Sequence, residues 1–213
     1  MSSDWSSDVC SSDLARQAIR RAERVLLRAL DIPPGRAAVF WTSGGTEANN
    51  LAVLWARGNG AAAVEATAHQ SLLAPCRQVG SVLEMAPDSD GRLSAEALKQ
   101  ALASRPRIVA CCHVNNETGV IQDLFAIRNA MDGCGADAAF VVDGAQSFGR
   151  VAIPWRAARI DMLTVAGRKI GGPAGVAAVI VRRGFEPRPL LYGGGQQQGV
   201  RPGTVDTVGV LEF

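Results

Sequence analysis

The runs Arg107-Ile-Val-Ala-Cys-Cys-His-Val114 and Ala139-Phe-Val-Val-Asp143 are apolar without alternation, and a stretch of helical spacing separates them. A strand that is apolar at almost every position has no face for water, so it belongs in a sheet covered on both sides. Crossover helices supply that cover when neighbouring strands run parallel. Similar apolar runs fall near 37–41, 61–66, 82–86, 161–165 and 176–182, and helical spacing near 46–57, 69–79, 94–103, 124–132 and 155–159. The order predicts an α/β chain, a three-layer sandwich around a mainly parallel seven-stranded sheet. Ahead of it, Ile19, Ala22, Leu26, Ala29 and Leu30 recur at helical spacing between arginines, which predicts an amphipathic helix ended by Pro33, Pro34 and Gly35.

The two ends read differently. Met1 to Leu14 is rich in Ser and Asp without helical or strand periodicity, and Asp8 to Leu14 spells what a common sequencing-library adapter gives on translation. Residues 1–14 are therefore expected to be an adapter artefact or a disordered tail. Val205 to Phe213 shows no helix cap or polar tail, which suggests a chain cut at this end too. A formal net charge of +2, with no block of like charge, gives no reason to expect nucleic acid or a membrane surface as partner. No apolar run reaches the roughly 18 residues of a span and no signal-peptide pattern opens the chain, so a cytoplasmic protein is expected. Cys10, Cys76, Cys111, Cys112 and Cys134 form no CxxC pair and have no histidine at ligand spacing, so no metal site is expected.

In α/β sheets ligands bind at the carboxyl ends of the strands, so the polar residues that follow them are placed for chemistry. Ser43-Gly44-Gly45-Thr46 lies between a strand and a helix. Such a turn presents backbone N–H groups and the positive end of a helix dipole, which suit a phosphate, although a plain strand-to-helix turn is an equal reading. It lacks the GxxxxGK[ST] and GxGxxG patterns of nucleotide sites. Asp143 ends a strand and precedes Gly-Ala-Gln146-Ser. A carboxylate there needs a cation or several donors; a protonated ring nitrogen such as that of pyridoxal phosphate would satisfy it, and so would a turn cap. Lys169, in Ala166-Gly-Arg-Lys-Ile-Gly-Gly-Pro173, is a strand-end amine in a glycine-rich turn beside Arg168, suited to a Schiff base. The other lysine, Lys99, lies in an amphipathic helix and reads as a solvated charge. His69 opens a helix, where its imidazole can lie over a planar ring or face solvent, whereas His113 sits inside an apolar strand and reads as core. Asn115-Asn116-Glu117-Thr118-Gly119 adds polar groups at the same edge. Each feature alone is ordinary turn chemistry, but their succession at strand ends along one α/β chain points to a single ligand site.

The segments Phe40-Trp-Thr-Ser-Gly-Gly-Thr-Glu-Ala-Asn-Asn50, His113-Val-Asn-Asn-Glu-Thr-Gly119, Val142-Asp-Gly-Ala-Gln-Ser147, Arg168-Lys-Ile-Gly-Gly-Pro173, Gly193-Gly-Gly-Gln196 and Arg201-Pro-Gly-Thr204 resemble, in order, those of the cysteine desulfurases. These are class V aminotransferase relatives and fold-type I pyridoxal-phosphate enzymes. The resemblance implies that Gly45 and Thr46 hold the phosphate of pyridoxal 5'-phosphate, that His69 stacks on its ring and assists proton transfers, and that Asn116 and Gln146 meet the ring's hydroxyl side. It implies that Asp143 pairs with the ring nitrogen and that Lys169 is the Schiff-base lysine. Ala166 and Arg168 stand where the family commonly has Ser and His, with Arg168 able to offer the phosphate a charge-assisted bond. Pro202 replaces the family's usual Ser, and Thr204 is implied to reach the phosphate of a second subunit, hence a homodimer with shared sites.

The reaction implied is removal of sulfur from L-cysteine, giving L-alanine and an enzyme persulfide for sulfur transfer or iron–sulfur cluster assembly through an acceptor or scaffold protein. On this resemblance residues 15–213 form an incomplete cofactor-binding large domain. The family's first strand is expected before Ala15, and the sulfur-accepting cysteine loop and carboxylate-binding arginine after Phe213. A selenocysteine lyase or aminotransferase of the same group, or a non-catalytic α/β fragment binding a phosphorylated ligand, are the alternatives.

Overall fold

A computed structural model describes residues 6–56 and 60–213 of the chain. Strands β1 (Ala37–Thr42), β2 (Ala62–Glu65), β3 (Val82–Met85), β4 (Ile108–Cys112), β5 (Ala139–Asp143), β6 (Met162–Ala166) and β7 (Ala177–Arg182) form one sheet in the order β1-β7-β6-β5-β4-β2-β3. β7 is antiparallel to both β1 and β6, and the other pairings are parallel. Residues 167–176 are too few for the dozen or more that a parallel crossover needs, so β7 must return against β6.

Alternation within the strands divides the apolar side chains between two cores. Val109, Cys111, Phe140, Val142 and Leu163 face one side, where Leu26 of α1 (Ser6–Ala29), Leu98 of α4 (Ala95–Ala103) and Ile127 of α5 (Leu124–Gly133) cover them. Ile108, Ala110, Cys112, Val141 and Met162 face the other, under Val53 of α2 (Gly45–Ala56) and Leu72 of α3 (Gln70–Gln78). The three layers expected from the continuous apolar strands are therefore present. Among the described residues no helix is long and apolar enough to cross a membrane.

Four local expectations need correction. Residues 6–14 continue α1 rather than lacking structure, because no glycine or proline interrupts them and a docked amphipathic helix propagates cheaply; residues 1–5 lie outside the described residues. Within α1, Ala29 faces outward, and the helix closes before the prolines. Asp31 takes a left-handed φ of 52°, and the N–H of Ile32 returns to the carbonyl of Leu27. Residues 155–159 make only turns: after Pro154 the N–H of Ala158 reaches the Pro154 carbonyl, and Arg159 at φ 45° ends the segment. Finally, Thr207–Glu212 is a short helix, α6, whose N-cap Asp206 accepts a bond from the N–H of Gly209 at 3.0 Å.

Candidate functional site

A cavity of about 390 Å³ opens at the carboxyl edge of the parallel strands, within the size range of small-molecule sites. The turn after β1 brings Gly45 and Thr46, the start of α3 brings His69, and the segment after β4 brings Asn116. The turn after β5 brings Asp143 and Gln146, and the turn after β6 brings Arg168 and Lys169. Of the residues given a cofactor role by the resemblance, all but Thr204 line this cavity. Thr204 borders a neighbouring cleft of about 100 Å³, with Arg201, Gly175 and Val176. Lys99 is exposed on α4 and His113 is buried away from the cavity, as the sequence indicated. Among the described residues His113 Nδ1 has no hydrogen-bond partner, and burial pushes the imidazole below its ordinary pKa.

The phosphate-type turn is braced from behind. The Glu47 carboxylate accepts bonds from the N–H and hydroxyl of Ser43, both at 2.6 Å, and from Arg201 at 2.8 and 3.0 Å. Gln197 Oε1 accepts from the N–H of Trp41 at 2.6 Å, and its Nε2 donates to the Trp41 carbonyl at 2.9 Å, so the loop carrying Thr204 is fastened to β1. Burial works against the charge on Glu47, but the bonds from Arg201 and Ser43 outweigh it and hold the carboxyl below its usual pKa. A depressed carboxyl contributes stability above its unfolded value and loses it as pH falls through its folded value. Glu47→Gln is therefore expected to lower the thermal midpoint near about pH 7, and its difference from the parent is expected to shrink progressively as pH falls below the ordinary glutamate value of about 4.3. Thermal unfolding across that range checks it.

On the lysine side, residues 167–170 form one 3-10 turn closed by Gly171 at φ 90°, a conformation open to glycine without strain. Arg150 donates to Gln146 Oε1 at 3.0 Å and to the main-chain carbonyl of Lys169, which ties the turn after β5 to the turn after β6. The tight exit from β5 is made possible by Gly144, where an added Cβ would lie 2.8 Å from Leu163 and 3.0 Å from the Thr164 carbonyl.

Asp143 is 6% exposed and forms no ion pair among the described residues. Its Oδ1 accepts from the N–H of Ala145 at 2.8 Å and its Oδ2 from Asn49 Nδ2 at 2.7 Å. A buried carboxylate facing a cavity with two donors and no cation fits a ligand that brings a positive N–H group. Together with the N-terminus of α2 and the amine of Lys169, this donor set fits pyridoxal phosphate.

Sequence reasoning missed Asn49, Ser71 and Thr164. Asn49 Nδ2 also donates to Ser71 Oγ at 2.8 Å, and Thr164 Oγ1 donates to Asn49 Oδ1 at 2.6 Å. Ser71 Oγ lies 2.7 Å from His69 Nδ1, which also accepts the Ser71 N–H at 3.1 Å. Because an N–H only donates, Nδ1 is the acceptor, and the proton of neutral His69 sits on Nε2. The one available signal was an asparagine inside the buried stripe of α2, beside Ala48, Ala52 and Val53. Glu65 was missed as well. This buried carboxylate accepts from Thr67, Gln122 and the N–H of Cys112, and so ties the chain just before His69 to both segments that flank Asn116.

Of Cys76, Cys111, Cys112 and Cys134, only Cys112 borders the cavity, and its side chain is almost fully buried. Cys76, Cys111 and Cys112 are buried. Desolvation raises all three, Cys76 to about 12, and the charge of Asp143 adds to the effect at Cys112. Of these and Cys134, only Cys134 is exposed, at the end of α5 that leads into β5 and so at the opposite edge of the sheet. Alkylation of the native chain followed by peptide mapping is expected to label Cys134 and to reach Cys76, Cys111 and Cys112 only after unfolding.

A sequence profile of the family described as aminotransferase class-V matches residues 9–207. The chain belongs to the class-V aminotransferase family. Among class-V relatives it is 36% identical over 208 residues to a cysteine desulfurase IscS of Vesicomyosocius okutanii, a match covering 91% of this chain and 50% of that protein. The fold resembles a NifS-like protein from Rickettsia africae with a TM-score of 0.88 at 30% identity, over 95% of this chain and 57% of that one. It also resembles SspA, solved in complex with cysteine, with a TM-score of 0.84 at 31% identity, over 94% of this chain and 60% of that one. The chain thus spans about half the length of the curated class-V relative it matches.

Proposed function

We propose that this chain is the pyridoxal 5'-phosphate-binding part of a cysteine desulfurase that converts L-cysteine to L-alanine and passes the sulfur to a thiol, working in the cytoplasm as a homodimer. The carrying observation is that Lys169 and Asp143, at the ends of adjacent strands, line one cavity with His69. Relatives named cysteine desulfurase support the choice of reaction.

Pyridoxal phosphate, when bound, supplies an electron sink for a carbanion at the amino acid Cα. The N–H groups at Gly45 and Thr46 and the guanidinium of Arg168 would hold the phosphate, and Thr204 of a second copy would complete that cradle. Asp143 would pair with the ring nitrogen, and Asn116 and Gln146 would meet the hydroxyl side of the ring. Lys169 would hold the cofactor through its amine and would carry the proton at the substrate Cα. His69 would lie against the ring and offer an Nε2–H donor. In balance, L-cysteine and an acceptor thiol give L-alanine and a persulfide, and the burial of Cys76, Cys111 and Cys112 argues against these as acceptors.

Borohydride reduction of the cofactor-loaded protein, followed by peptide mapping, tests the reading. A stable pyridoxyl label on Lys169, with alanine formed from L-cysteine by the full-length protein, is expected. Labelling of Lys99 instead, or no label, overturns the assignment; a label without alanine overturns the choice of reaction.

A further inference from the structure

We propose that Asn49 is a positioning residue that fixes the plane of the Asp143 carboxylate and aims it into the cavity; this rests on the reading above that Asp143 pairs with a ring nitrogen. Asn49 is 1% exposed on α2, and its amide meets three other elements: Asp143 on β5, Thr164 on β6 and Ser71 on α3. The carboxylate only accepts, so the amide nitrogen must face it. The amide oxygen then faces Thr164, whose hydroxyl must donate and so locks the amide against rotation. The second amide hydrogen goes to Ser71 Oγ, leaving the serine hydrogen for His69 Nδ1. Every direction in this buried chain follows from the one charged group.

The consequence for Asp143 is specific. One oxygen is held by a main-chain N–H and the other by Asn49, so the amide supplies the only side-chain donor to the acid among the described residues. Donors of this kind favour the charged form of a carboxylate and fix its plane. Asn49→Asp keeps the volume and replaces the donor by an acceptor. Two carboxyl groups at that separation cannot both ionise, and a shared proton removes charge from Asp143.

The test compares equilibrium binding of pyridoxal phosphate with that of its analogue carrying carbon in place of the ring nitrogen. The parent chain is expected to prefer the nitrogen-containing cofactor by about ten-fold or more, the effect of one charge-assisted bond. In Asn49→Asp the preference is expected to fall to within about three-fold of unity, while the analogue binds as it does to the parent. Thr164→Val, which removes only the lock on the amide, is expected to reduce the preference in the same direction, and serves if Asn49→Asp does not fold. A loss of both ligands in equal proportion, or an undiminished preference in a folded variant, overturns the role of Asn49. A parent chain that binds both ligands equally overturns instead the pairing of Asp143 with the ring, and the proposal falls with it.

Discussion

Lys169→Ala is expected to abolish borohydride-stable labelling by pyridoxal phosphate and to lower desulfuration by at least the roughly 10²–10⁴-fold that a positioned proton-transfer group contributes. The loss is chemical, because the fold does not depend on this side chain. The amine is half-buried at the cavity wall, and the contact that holds its turn is made by the main-chain carbonyl to Arg150. Stability is therefore expected to stay within about 0.5 kcal/mol of the parent, measured by denaturant unfolding. The phosphate turn and Asp143 remain, so the variant should still bind the cofactor reversibly. Added methylamine, which replaces an amine without restoring its position, should recover a small part of the rate. A non-catalytic phosphate-binding module predicts the reverse: no label in the parent and unchanged binding in the variant.

Much of this site could be read without coordinates because its chemistry sits at the ends of strands that announce themselves. Ile108–Cys112 is buried throughout and Ala139–Asp143 from Phe140 onward, so their apolar runs marked both the sheet and the points where polar residues had to emerge. Asp143, Lys169 and the Gly44-Gly45 turn were visible for that reason. Asn49 was not, because its meaning comes from four elements meeting at one point, and nothing within α2 tells which strand its amide will face. The turn at residues 155–159 misled because apolar spacing over five residues cannot distinguish a single turn from a helix. The antiparallel sense of β7 lay in a length rather than a motif, since the short link from β6 leaves no room for a crossover. Thr204 is the instructive remainder. Its motif was recognisable, yet it lines a neighbouring cleft beside Arg201 rather than the cavity itself.

Asp143→Asn separates the acid's charge from its shape. The replacement is nearly isosteric, but the existing partners, Asn49 Nδ2 and the Ala145 N–H, are both donors. The new amide nitrogen must therefore confront one of them, leaving a buried donor unmatched at a cost of about 1–3 kcal/mol. A lowered thermal midpoint with a native circular dichroism spectrum is expected. Function should fall further than stability. On the proposed reading a neutral amide would not hold a proton on a ring nitrogen, so the electron sink that Lys169 works with would weaken. Removing one preorganised electrostatic partner costs on the order of 10²–10³-fold in turnover, and cofactor affinity should drop with it. Lys169→Ala loses the covalent label and keeps reversible binding, whereas Asp143→Asn should keep the label, formed more slowly, and lose affinity. On the proposed reading the two residues meet different parts of one ligand, so the double variant should lose both properties. Retention of the parent's affinity and rate in Asp143→Asn would mean that the carboxylate serves only to cap its turn.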